Sequence, residues 1–270
     1  MSVPELASPF EALALAARVG AVGVAVSSLE LLTHPEQIDP GGIFGARVQL
    51  TRGRWTLPFL WLSPMAVGMG LVAVRLAAAV ALVVGATEHH VAAIGCAAVA
   101  LTTLLIRVRT PLSIHASGAM TTVTMVAAAL GFGVGTTQAM EYALAFIAAQ
   151  AGLAYFVAGA TKMAQADWRQ GRAVPLISST LTWGGRREAV FLQTHPPVAR
   201  ALCWATMVLE CLLPISLALP LPLLVGVLAC ALAFHLAIAF EMSLNAFVWA
   251  YASTYPAIIF AWYWLHGIRG

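Results

Sequence analysis

The sequence predicts an all-α protein, a polytopic transmembrane helical bundle of about eight helices with an interfacial amphipathic segment. Three observations carry this. Hydrophobic residues make up 61% of the 270 and charged residues only 9%, with a mean hydropathy of +0.88, far from the balance of a water-soluble domain. A single aqueous core in a chain of this length could not absorb so much apolar side chain. The apolar residues also fall in runs long enough to cross a bilayer, and the basic residues gather in alternate connections between those runs.

The runs lie near 10–32, 64–86, 90–106, 113–135, 140–163, 199–219, 221–240 and 243–265. Connections between the second and third, fourth and fifth, sixth and seventh, and seventh and eighth are very short, so these neighbours form antiparallel hairpins. Two connections are longer, 33–63 and 164–198. The second mixes Trp168, Trp183, Phe191 and Leu192 with Arg169, Arg172, Arg186 and Arg187, a composition suited to amphipathic pieces lying in the headgroup region. Trp55, Trp61, Trp262 and Trp264 stand near span ends, where aromatic belts anchor helices. The whole of 1–270 reads as one transmembrane domain. Met1 to Phe10 hold Glu5 and no basic residue, so a cleavable signal is not expected.

Charge orients the bundle. The side holding the two long connections, side B, receives Arg47, Arg52, Arg54, Arg107, Arg109, Lys162, Arg169, Arg172, Arg186, Arg187 and Arg200, whereas the opposite side keeps Arg269. The positive-inside rule makes side B cytoplasmic, in what reads as a bacterial cytoplasmic membrane. That asymmetry accounts for the net charge of +3 without a nucleic-acid partner.

Ionisable groups are costly within lipid and usually face a cavity or a partner. Followed along the antiparallel path, Glu30, His115, Lys162, His235 and Glu241 fall in the same half of the bilayer, which predicts a shared polar pocket on side B. Lys162 is the only lysine beside thirteen arginines. A lysine can lose its proton when buried and an arginine cannot; the alternative is a snorkelling anchor at a helix end. For His115, after Pro111, the alternative to a ligand role is a bond within the first turn of its helix; for His235 it is an interhelical hydrogen bond. Glu210 precedes Pro214 by four residues, so its carbonyl is left free and a kinked polar site is expected, structural or ligand-binding. The pair His89–His90 is expected in an exposed turn. Cys96, Cys203, Cys211 and Cys230 have no metal or disulfide spacing and read as small buried apolar residues. No metal site is expected.

The stretch Tyr155-Phe-Val-Ala-Gly-Ala-Thr-Lys-Met-Ala-Gln-Ala-Asp-Trp168, followed by Gly171, resembles the signature of the vitamin K-dependent gamma-carboxylase family and its bacterial relatives, the HTTM proteins. Phe234-His-Leu-Ala-Ile-Ala-Phe-Glu-Met-Ser-Leu-Asn-Ala-Phe247 is similar to that family's Phe-His helix and the Phe-rich helix after it, with weaker likeness in Leu112 to His115 and Glu210 to Pro214. The resemblance implies a membrane enzyme in which Lys162 is the base for a reduced quinone of the vitamin K hydroquinone type, which reacts with dioxygen. It further implies that His115 and His235 line the quinone site, with Tyr155, Trp168, Glu210, Glu241 and Asn245 around the cofactor. Several features depart from the family pattern. Ile114 stands where the carboxylase has asparagine, one extra residue separates Lys162 from Trp168, and Ala116 to Gly118 supply no carboxylate. The family's site also opens away from the cytoplasm, opposite to the arginine count.

Two functions of different class follow. One is a quinol-using enzyme acting on a peptide or small substrate. The other is a non-catalytic, DoxX-like quinone-binding subunit serving a partner membrane or redox protein. A transporter is a third, but broken spans in matching halves are not evident.

Overall fold

The computed structural model describes residues 8–37, 39, 61–62, 64–85, 88–109, 116–180 and 183–268. Among these the chain is helical and contains no strand. Helices α1 (Pro9–Thr33), α2 (Met65–Gly85), α3 (His89–Arg109), α4 (Ala116–Val134) and α5 (Thr137–Ala164) come first, followed by the short α6 (Ala166–Arg169), α7 (Ala173–Ser178) and α8 (Arg186–Thr194). The chain then continues through α9 (Pro196–Ile215), α10 (Leu221–Met242), α11 (Asn245–Ala252) and α12 (Tyr255–Leu265). Seven of these, α1 to α5, α9 and α10, are long and apolar enough to cross a membrane. His115, Trp55, Arg47, Arg52, Arg54 and Arg269 lie outside the described residues.

Local chemistry sets most helix boundaries. Pro9, Pro196 and Pro222 occupy first-turn positions of α1, α9 and α10, where a missing N–H costs nothing. Thr136 caps α5 by accepting from the Ala139 amide at 3.2 Å. Gly135, at φ +73°, supplies the left-handed residue between α4 and α5.

The eighth run differs from its expectation as one span, because it breaks into α11 and α12. Pro256 cannot donate to the carbonyl one turn earlier and its ring crowds that turn, so the helix is interrupted at Ser253–Thr254. The local hydroxyls stabilise the break: Ser253 donates to the Ala250 carbonyl and Thr254 to that of Tyr251, both at 2.7 Å, and both side chains are fully buried. Such reuse of Ser and Thr is what a low-dielectric setting requires of freed backbone groups.

Helix α1 runs through the centre, packing on α2, α4, α5, α11 and α12. Its inner surface is small: Ala12, Ala16, Ala17, Gly20 and Ala21 are buried, and side chains of this size let helix backbones approach where lipid offers no hydrophobic drive. A Cβ at Gly20 would meet Met125 and one at Gly23 would meet Trp249. The outer surfaces carry exposed Val, Leu and Phe, Phe240 at 86% and Val84 at 81% exposure. Such a surface needs lipid around it.

The 164–198 connection forms the short helices α6 to α8, which pack on one another and on α9. Three smaller expectations change. Trp262 turns inward, 8% exposed, and donates to the Leu219 carbonyl at 2.7 Å instead of reaching outward like a belt residue. His89 is half-buried, edge-on to Phe10 at 4.7 Å, while His90 is exposed. Of the cysteines, Cys96 and Cys203 are buried, Cys211 is half-buried and Cys230 faces outward; all four are free.

Candidate functional site

On α5, Tyr155, Gly159 and Lys162 stand at i, i+4 and i+7, a single helical face. That face meets α9. A Cβ on Gly159 would lie 2.7 Å from Cys211 Sγ, 3.0 Å from the Cys211 amide nitrogen and 3.1 Å from Glu210 Cβ. Glycine is thus what allows α9 close enough for Glu210 to reach the lysine. Lys162 Nζ donates to both carboxylate oxygens of Glu210 at 2.7 Å. The glutamate side chain is 6% exposed and that of the lysine 22%, so the pair is sealed on the α9 side and open on the lysine side. Trp168, just beyond the end of α5, places its ring 5.3 Å from Nζ, close enough for a cation–π contact.

Deeper by two turns of α5, about 10 Å along the axis, Tyr155 and His235 join α5 to α10. The Tyr155 hydroxyl and His235 Nε2 are 2.6 Å apart. With the phenol donating, Nδ1 carries the ring proton, and Nδ1 is buried without a partner among the described residues. His235, 3% exposed, stacks on Tyr251 at 4.5 Å between ring centroids, and Phe247 extends the stack at 6.1 Å from Tyr251. Tyr155 meets Tyr251 edge-on at 4.9 Å.

The structure brings together Lys162, Glu210 and Trp168, and separately Tyr155 and His235. Among the described residues it does not bring Glu30, Lys162, His235 and Glu241 into one pocket. Glu30 lines a cavity of ≈ 360 Å³ on the far side of α1, where Asn245 donates a hydrogen bond to its carboxylate. Glu241 is exposed near the end of α10, without a polar partner among the described residues. His115 lies outside the described residues. The physical reason for the correction is rotation: groups at one depth on different helices share a cavity only if their faces converge, and depth alone says nothing of facing. Sequence reasoning missed Tyr251 and Phe247, whose i, i+4 spacing on α11 is the one signal that they share a face.

A tight approach at Gly159 makes it a sensitive position. Gly159→Ala is expected to separate α5 from α9 and lower stability by about 1–3 kcal/mol, the usual cost of overpacking. Thermal unfolding of the detergent-solubilised protein would measure it, and an unchanged midpoint would mean that α9 has room to move. Compared with family models, curated proteins and solved structures, the chain matches none.

Proposed function

We propose that this integral membrane protein is an enzyme of the vitamin K-dependent carboxylase-like or HTTM kind, in which Lys162 and Glu210 together exchange a proton with a reduced quinone. The observation that carries the reading is the buried ion pair, with both carboxylate oxygens 2.7 Å from Nζ. An interhelical lysine–glutamate pair is net neutral and holds one proton between its partners. Transfer of that proton to the Glu210 carboxylate would leave a neutral Lys162 amine, which can take the proton of a bound hydroquinone and return it when charge develops elsewhere.

A reduced quinone would supply two-electron reducing power when bound. The residues fit such a ring by their donor chemistry. Lys162 is open on one side, Trp168 supplies an aromatic wall, and the buried Nδ1 of His235 lacks a partner, which a buried polar group requires. Tyr155 holds the imidazole in one tautomer, so that Nδ1 can donate to a ligand oxygen. The apolar residues of α5, α9 and α10 keep bulk water from the pair. The peptide or small-molecule substrate would approach from the open lysine side, and dioxygen, being apolar, would cross the bilayer.

Lys162 is already engaged by two oxygens, and this favours a second reading, a DoxX-like subunit in which the pair clamps α5 to α9 and the quinone is bound without turnover. Quinone extraction and oxygen electrode measurements separate the two. The enzyme is expected to consume oxygen on addition of a reduced naphthoquinone. Copurified quinone without oxygen uptake would support the subunit, and neither would sink both.

The arginine asymmetry supports side B as the cytoplasmic face of a bacterial inner membrane. Cysteines introduced near Pro220 are expected to label from outside intact cells, and those near Arg186 are expected to be protected. The reverse pattern would invert the assignment and agree with the outward-opening site of the resembled family.

A further inference from the structure

A cavity of ≈ 360 Å³ lies where α1 and α3 end and α2 and α4 begin, with the α10–α11 turn at one edge. Its size falls at the lower end of small-ligand sites. Two opposite charges are held on α1 where that helix lines the cavity. Arg75, from the middle of α2 and 6% exposed, donates through Nε to Ser28 at 2.9 Å and through Nη2 to Ser27 at 3.4 Å. Glu30 follows Ser27 by three residues, on the same face of α1 and about 4.5 Å further along its axis. Its Oε1 accepts from Asn245 at the start of α11. Both Arg75 and Glu30 line the cavity.

These two charges do not pair with each other. The ion pairs among the described residues are Lys162–Glu210 and Arg172–Asp167. Opposite charges bordering one cavity inside a membrane bundle would gain by direct contact, yet here hydroxyls hold the guanidinium and an amide holds the carboxylate. Nη1 of Arg75 and Oε2 of Glu30 are left without a partner among the described residues. A ligand that carries an anion and a cation close together satisfies both at once. Arg107 and Arg109 line the α3 wall, where Arg109 is engaged by the Leu62 carbonyl and by further contacts; the pairing on α1 needs neither.

A free α-amino acid has that form, with ammonium and carboxylate on one carbon. Glu30 is the more exposed of the two protein charges, so the ammonium end lies toward the mouth and the carboxylate inward. Aliphatic side chains of Val24, Leu31, Val72 and Ile106 complete the walls and suit a branched apolar side chain. Space is present as well, since a Cβ on Gly118 would meet nothing within 4 Å. We propose that this cavity binds a free α-amino acid with an aliphatic side chain, its carboxylate on Arg75 and its ammonium on Glu30. The site is separate from the Lys162–Glu210 pair and stands whether or not that pair is catalytic.

The test is isothermal titration calorimetry on the purified full chain in maltoside micelles, at about 0.15 M salt so that attraction to exposed charges is screened. The ligands, titrated separately, are L-leucine, isocaproate, which is leucine without its amine, and isoamylamine, which is leucine without its carboxylate. Leucine is expected to bind roughly tenfold or more tightly than either analogue, because each lacks one charged hydrogen-bonding group. Glu30→Gln keeps an oxygen for Asn245 and removes the negative charge. It is expected to weaken leucine by a similar factor and to leave isocaproate binding as it was, a change of selectivity that misfolding does not produce. Arg75→Gln is expected to do the converse, weakening leucine and sparing isoamylamine. If leucine binds no tighter than the analogues, or if Glu30→Gln binds leucine as the unaltered protein does, the proposal is overturned.

Discussion

Lys162→Arg is expected to leave the bundle folded and to lower quinol-dependent oxygen uptake by about a hundredfold or more, the usual loss when a general base is removed. Arginine keeps the positive charge, and its planar fork suits both oxygens of Glu210, which Lys162 now engages at 2.7 Å. It cannot release a proton in this setting. The substitution therefore preserves the clamp between α5 and α9 and removes the acid–base function alone. Oxygen uptake with a reduced naphthoquinone, beside a thermal unfolding curve of the same preparation, measures both properties. An arginine variant that turns over like the original would end the catalytic claim and leave the clamp as the pair's role.

Glu210→Leu is expected to have the larger effect on stability, a loss of about 3–5 kcal/mol, because it strands an ammonium between apolar helices. The side chain it removes is 6% exposed and belongs to one of two ion pairs among the described residues. The other, Arg172–Asp167, is exposed and of little energetic consequence. Combining Glu210→Leu with Lys162→Met should recover most of the loss, since both desolvation penalties disappear with the charges. Activity should remain absent in the double variant. Thermal unfolding of the two singles and the double forms a cycle whose coupling energy reports the pair directly. A coupling near zero would show that the two side chains do not meet in the membrane.

Much of the site was legible residue by residue. Lys162 stood out as the only lysine, and Glu210 by its place four residues before Pro214. Tyr155, Trp168 and His235 fell within the segments resembling the carboxylase family. Their partners were not legible. Lys162 and Glu210 are 48 positions apart, Tyr155 and His235 80, and Asn245 and Glu30 215; no periodicity links residues at such separations. The expected common pocket failed for Glu30 for this reason, and nothing in the spacing of Arg75 and Arg109 along the sequence signals that they stand beside it. Only packing put them on the same cavity.

By itself the sequence determined the solvent, the element type and nearly all the helix lengths. The cause is local: in lipid each helix must satisfy its own backbone hydrogen bonds, so an apolar run of spanning length has one structural solution, legible within the run. Even the break at Ser253–Thr254 was written locally, in Pro256 and the two hydroxyls before it. Tertiary structure alone decided how each helix is rotated about its axis and which neighbour it faces. With lipid as apolar as the side chains, hydrophobicity does not choose between faces. The choice falls to close approach at small residues, Gly159 against α9 and Gly20 and Gly23 on α1, together with a few long-range polar contacts. Those contacts turned scattered charges into an ion pair in one place and an arginine-lined cavity in another.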